Sequence, residues 1–191
     1  MTEPYDVLRE DPELASLVDE HGELALEPAE DPFRRLVVSI VRQQVSMDAA
    51  AAIRERLFDS VAVTPTGVAS ADSGALRSAG LSGRKAEYVQ NVAEAFLEHG
   101  WDRAYFAGLD DDAVREELTA VTGVGDWTAE MFLMFALGRE DVFPVGDLGI
   151  RKGMRALYGE ELSRSGMRDV ASRWRPYRSY GSLYVWRAYE E

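Results

Sequence analysis

A chain of 191 residues, 46% apolar and 10% aromatic, can bury one good-sized core or two small lobes, which excludes a disordered tail. With no cysteine it cannot hold a disulfide scaffold, a Cys-ligated zinc ion or a cysteine-held iron–sulfur cluster. A formal net charge of -13 argues against a partner gripped mainly by Lys and Arg, on which phosphate affinity rests.

The charge is unevenly spread. Residues 1–33 hold eleven acids and one Arg, whereas residues 151–191 hold nine basic groups and five acids. Lysine is confined to Lys85 and Lys152. Two readings stand side by side: an acid-coated, halophilic surface with a basic C-terminal face kept for a partner, or an ordinary acidic protein with scattered Arg. The start, MTEPYDVLREDPEL, has no long apolar run, so neither a secretory signal nor a membrane span is expected and the cytoplasm is.

Helical patterns follow one another along the chain. An acidic helix is expected within residues 1–30. Asp31 and Pro32 supply an N-cap and an N1 proline for FRRLVVSIVRQQV. Ser46 starts MDAAAAIRERLFDS, and VAVTPTGVASADSG reads as turn. ADSGALRSAG and SGRKAEYVQNVAEAFLEHG read as helices, the second with Ala86, Val89, Val92, Ala93 and Phe96 on one face. Asp110–Asp112 open a helix that carries Val114, Leu118 and Val121. After a Gly-Val-Gly turn, DWTAEMFLMFALG is apolar nearly all round and so should be buried. Asp147 caps LGIRKGMRALYG, Met167–Arg173 form a short helix, and RPYRSYGSLYVWRAYEE a last one with Pro176 in its first turn. No stretch alternates as a strand would, so the fold class is all-α.

Two helices joined by Gly123-Val124-Gly125, spanning about 112–138, form a helix–hairpin–helix. Glycine lets backbone approach a phosphate without a Cβ in the way, and the free N–H groups at the second helix's start favour an anion. Such a grip needs no lysine and reads no bases. Alone the turn is weak evidence, since a GxG between helices is more often a plain loop.

The larger stretch LTAVTGVGDWTAEMFLMFALGREDVFPVGDLGI resembles the helix–hairpin–helix (HhH-GPD) DNA glycosylases, in particular the AlkA-type 3-methyladenine DNA glycosylase II branch. FRRLVVSIVRQQVSMDAA, LRSAGLSGRKAEYVQNVAEAF and WRPYRSYGSLYVWRAY resemble further motifs of that branch, in the same order, from about Asp31 onward. The resemblance implies a single glycosylase domain over 1–191, two helical lobes flanking an active-site cleft, without the extra N-terminal β domain of the bacterial enzyme. It implies a monomer acting on damaged double-stranded DNA among the nucleoid, with no membrane role and no cofactor save a monovalent cation at the hairpin.

Residue by residue, the resemblance makes Asp147 the catalytic carboxylate. In a dry pocket such a group stabilises an oxocarbenium ion and orients water. Capping the next helix is its alternative role, and both can hold at once. Trp127, Met131 and Trp186 would wall the base pocket, though Trp127 could equally be core. Gln44 would enter the gap left by the flipped nucleotide. Gln43 either bonds base edges and sugars or simply ends a helix. Arg84 and Lys85 are phosphate contacts or a solvated pair. Arg175 and Arg178 hold the closing helix or touch DNA. The chain departs from the pattern at Met131, where a Tyr is expected, and at Thr122, where Pro or Lys is common. Trp127 stands where strand-cutting relatives carry their Schiff-base Lys, so hydrolysis without lyase activity is expected. Alkylated purines are the first substrate class; uracil, hypoxanthine, ethenoadenine, an oxidised purine, or DNA binding without chemistry are the alternatives.

Overall fold

A computed structural model describes residues 3–190; the expected helix ends at Met1, Thr2 and Glu191 fall outside them. Every regular element among these residues is helical. The chain divides into two compact units, one from Ala29 to Leu137 and the other joining the residues up to Pro28 with those from Gly138 onward.

The continuous unit contains α3 (Pro32–Arg42), α4 (Met47–Ser60), α5 (Pro65–Ala69), α6 (Ser73–Ser78), α7 (Gly83–His99), α8 (Arg103–Ala107), α9 (Asp111–Thr119) and α10 (Asp126–Phe135). Its interior is built from Leu36, Val37 and Ile40 of α3, Val89 and Val92 of α7, and Ala129, Phe132 and Leu133 of α10, all fully buried. Edge-on aromatic pairs lock it: Phe33 with Phe96 at 5.1 Å, Phe96 with Trp101 at 5.4 Å, and Phe106 with Phe132 at 5.0 Å. Two of its elements differ from the sequence reading. Residues expected as turn include α5, because Thr64 caps it and Pro65 fits its first turn. α8 was not anticipated; Asp102 caps its five residues.

The other unit contains α1 (Pro4–Leu8), α2 (Pro12–His21), α11 (Leu148–Tyr158), α12 (Arg164–Ala171), a 3-10 turn (Ser172–Trp174) and α13 (Arg178–Glu190). The acidic N-terminal helix expected within 1–30 is therefore two helices. Asp11 and Pro12 restart the chain, and residues 22–29 are not helical. Leu8, Leu14, Val18, Ile150, Met154 and Trp174 form part of one core. Tyr184 pins the extended segment by donating to the Gly22 carbonyl at 2.6 Å and accepting from Leu24 N–H at 3.1 Å. The short helix expected at 167–173 begins at Arg164 on a Ser163 cap. Pro176 lies ahead of α13 rather than in its first turn, after a cis Arg175–Pro176 bond.

No helix among the described residues is long and apolar enough to cross a membrane. Nor does any cluster of three His, Cys, Asp or Glu among them offer a metal site.

Candidate active site and nucleic-acid hairpin

The hairpin is built by α9, the Gly123–Gly125 turn and α10. Val124 N–H donates to the Val121 carbonyl at 3.0 Å and closes the turn. Gly123 has φ 105, and a Cβ there would stand 2.2 Å from the Tyr88 ring, so only glycine fits. Val124 is buried, while Gly125 is exposed at the start of α10. The other seven helices of this unit each begin on a Ser, Thr or Asp whose side chain accepts from the first turn. α10 begins on Gly125 with no side-chain cap. Gly125 has no side chain to cover the start of α10, and a helix start of this kind suits a phosphate oxygen.

Gln43 holds this turn from behind. Its Nε2 donates to the Gly123 carbonyl and to Thr128 Oγ1, both at 3.0 Å. Its amide protons are used inside the protein, so Gln43 braces the hairpin here. Lys85 also makes a bond within the protein. Its Nζ donates to the Val41 carbonyl at 2.7 Å, and burial pulls its pKa below the ordinary lysine value. It ties α7 to the end of α3. Arg84 beside it is exposed, as a phosphate contact requires.

Gln44 is the next residue after Gln43. It is exposed with φ 56, a left-handed backbone that a side chain adopts at a cost of about 1 kcal/mol or more. Val45 and Met47 beside it are exposed too, Met47 at 64%. The loop between α3 and α4 therefore presents a blunt, partly apolar tip. The carbonyls of Val121, Thr122 and Gly123 each already accept a protein N–H, from Val124, Asn91 and Gln43. A monovalent cation at the hairpin would have to share every one of these oxygens.

Trp127 and Met131 lie one turn apart on α10, Trp127 half-buried and Met131 buried. Neighbouring α3 carries an arginine that sequence reading passed over. Arg35 rests its guanidinium 4.9 Å from the centre of the Phe135 ring and donates through Nη1 to Ser39 Oγ at 3.2 Å. Burial first, and the charge of Arg42 second, bring its pKa down to about 10, so it remains a cation at neutral pH.

In the other unit Asp147 ends the Pro-Val-Gly-Asp turn, where its N–H donates to the Pro144 carbonyl at 2.9 Å. It is half-buried. Its Oδ1 accepts Ile150 N–H at 3.0 Å, which caps α11, and Trp186 Nε1–H at 2.9 Å. Both roles foreseen for the residue are thus open to one side chain. Two glycines permit the contact. A Cβ on Gly149 would come within 2.9 Å of Trp186 Cδ1, and one on Gly153 within 2.2 Å of the Val185 carbonyl. Their spacing of four is the signal that α13 packs unusually close to α11. Trp186 therefore meets Asp147 as a hydrogen-bond donor, beyond the wall role expected for it.

Arg178 is settled as a structural residue. It grips Asp141 through Nε at 2.6 Å and Nη2 at 3.1 Å, and reaches the Asp141 carbonyl at 2.8 Å. Arg175 joins the same carboxylate at 3.3 Å.

The family model for HhH-GPD superfamily base-excision DNA repair proteins matches residues 37–176, most of the chain and both the hairpin and Asp147. The chain belongs to this superfamily. Among HhH-GPD proteins it is similar to DNA-3-methyladenine glycosylase 1 of Schizosaccharomyces pombe, with 31% identity over 168 residues, 82% of this chain and 72% of that one. The crystal structure of a DNA-3-methyladenine glycosidase from Bacillus halodurans matches with a TM-score of 0.83 and 37% identity, covering 98% of this chain and 89% of that one. A Schizosaccharomyces pombe 3-methyladenine DNA glycosylase in complex with abasic DNA matches with a TM-score of 0.87 and 28% identity, covering 97% and 96%. The chain spans 66% of the length of a Bacillus subtilis relative to which it is 27% identical. It stands in the 3-methyladenine glycosylase branch of the HhH-GPD proteins.

Proposed function

We propose that the chain is a monofunctional DNA glycosylase that hydrolyses the N-glycosidic bond of alkylated purines in double-stranded DNA. The observation that carries this reading is the braced carboxylate: Asp147 takes hydrogen bonds on Oδ1 from Trp186 and from Ile150 N–H. Two donors on one oxygen fix the rotamer. Cleavage of the bond to the base builds positive charge on the sugar, and an anchored carboxylate stabilises that charge and directs a water to the sugar carbon. The proton economy is simple for a methylated purine. Such a base is already cationic and leaves as a neutral molecule, so no general acid is required.

The damaged nucleotide has to leave the duplex first. In this reading the uncapped start of α10 holds a phosphate, Gln44 enters the vacated stack, and Trp127 and Met131 receive the base. An indole face attracts a cationic ring by about 2 kcal/mol when water is excluded. Lyase chemistry would require a free amine. Lys85 is bonded to Val41, and the Lys152 ammonium lies over the Tyr189 ring at 5.1 Å. The two lysines of the chain are thus both engaged, which supports hydrolysis alone.

Asp147→Asn tests the proposal cleanly, because asparagine still caps a helix. Release of 3-methyladenine and 7-methylguanine from alkylated DNA should fall more than about a hundredfold, in line with the loss of an electrostatic stabiliser. Melting temperature and duplex binding should hold. Undiminished release would remove Asp147 from the chemistry, and binding with no release by the parent protein would leave a passive DNA-binding module.

A further inference from the structure

Arg35 is a cation without an anion. Among the described residues no carboxylate lies within ion-pairing distance of it, and only one of its five N–H donors, through Nη1, has a protein side-chain acceptor. The chain holds 34 acids against 21 basic residues, so partners were plentiful. Arg178 and Arg173 have taken theirs, Asp141 and Asp11. The charge that shifts Arg35, after burial, is that of another cation, Arg42. A half-buried guanidinium left this way is costly unless something else uses it.

Its position says what that is. α3 and α10 run antiparallel: Gln43, just past the end of α3, bonds Thr128 near the start of α10, while Arg35 lies over Phe135 near its end. This register brings Ser39 abreast of Met131. Each residue turns a helix by about 100°, so Trp127 and Met131 are rotated roughly 100° and 60° to one side of Thr128. Ser39 and Arg35 are rotated roughly 40° and 80° from Gln43 in the same sequence sense. In an antiparallel pair those rotations fall on the same side. Trp127, Met131, Ser39 and Arg35 therefore line one face of the α3–α10 pair. The bond to Ser39 draws the Arg35 guanidinium toward the level of Met131, about 6 Å along the axis from Trp127. That is the reach of a purine ring.

We infer that Arg35 is a specificity-determining residue: its guanidinium meets the far edge of the base and extends the range of the site from the cationic methylpurines that Trp127 attracts to neutral lesions with acceptor atoms at that edge. This rests on the proposed role of Trp127 and Met131 in receiving the base. A planar guanidinium pairs with the O6 and N7 acceptors of a purine, and hypoxanthine presents both without a charge; it departs as an anion whose charge the guanidinium holds until water supplies the proton. 7-Methylguanine has lost the N7 acceptor to its methyl group and carries a positive charge, so Arg35 repels it where Trp127 attracts it.

The test uses the full chain and two duplexes, one with a single hypoxanthine and one with a single 7-methylguanine, in single-turnover assays. Arg35→Met keeps an unbranched side chain over Phe135 and removes the charge and the fork. The ratio of the hypoxanthine rate to the 7-methylguanine rate should fall at least tenfold, with hypoxanthine slowed and 7-methylguanine unchanged or faster. Arg35→Lys keeps the charge without the fork, so it should stay poor on 7-methylguanine without regaining hypoxanthine. Equal slowing of both lesions by both variants, or a ratio that does not move, overturns the inference while Asp147-dependent release leaves the proposed function intact. Release of neither lesion by the parent protein would sink both.

Discussion

Two aspartates of the same unit do the same local work in different surroundings. Asp11 caps α2 and Asp147 caps α11, and each also accepts an indole N–H, Asp11 from Trp174 at 3.2 Å and Asp147 from Trp186 at 2.9 Å. Asp11 is 3% exposed and takes further bonds from Tyr158 Oη–H at 2.9 Å and the Arg173 guanidinium at 3.0 Å. Burial, together with the Asp11 charge, pushes the Tyr158 hydroxyl well above its ordinary value, so it stays a donor. Asp147 remains half-buried. A carboxylate sealed by an arginine and a tyrosine is a rivet. A carboxylate oriented by a helix start and an indole while only half-buried is placed to do chemistry. Helix capping and an indole partner do not tell the two apart; burial does, with the Tyr158 and Arg173 that close over Asp11.

The contrast breaks most sharply under the same substitution at both sites. Asp147→Asn is expected to remove activity by more than about a hundredfold and spare stability. Asp11→Asn should do the reverse. It keeps the cap but withdraws the charge beside Arg173, at a cost of about 2–3 kcal/mol. For a chain of this size that is a fall of roughly 5–10 °C in Tm, with the single-turnover rate of the folded protein within twofold of the parent. Thermal melts and base-release assays on both variants check it. A lost rate at Asp11 with an unchanged Tm would erase the distinction.

How much of this was legible beforehand depends on how far the partner lies along the chain. Ser46, Asp31 and Asp147 could be read as caps because their acceptors serve N–H groups three residues on. The hairpin was legible for the same reason, since its glycines and the apolar run after them are contiguous. The split of the N-terminal helix was written in Asp11-Pro12 but read past in favour of the acidic pattern. Gln43 was out of reach, because what defines it is a pair of bonds spanning 80 and 85 residues. Arg178 needed Asp141, 37 residues away. Arg35 was hidden for the opposite reason: an arginine is conspicuous only once no carboxylate is found beside it. The family motifs named candidate site residues; they did not say which of them are bonded within the protein, as Gln43 and Lys85 are.

Trp186→Phe sharpens the contrast from the other side of the bond. Phenylalanine keeps a ring between α11 and α13 but cannot donate to Asp147. The cap from Ile150 N–H survives, so the helix should hold and stability should change by about 1 kcal/mol at most. The rate should drop about tenfold, because the carboxylate loses the indole donor and wanders from its aim. An unchanged rate would mean that the indole merely fills space.

Gln43→Met gives the smallest effect and separates the brace from the contact. Methionine matches the length of glutamine and removes both donors, leaving the Gly123 carbonyl and Thr128 Oγ1 without that amide at a cost of about 1–2 kcal/mol. The turn that offers its N–H groups to phosphate should loosen. Affinity for undamaged and lesion-bearing duplexes should weaken together, by about fivefold, since a backbone grip reads no bases. The rate at saturating DNA should stay within twofold, because nothing that faces the base has changed. If instead binding holds and the saturating rate falls, and falls more for one lesion than another, Gln43 leaves Gly123 when DNA arrives and touches the nucleotide itself.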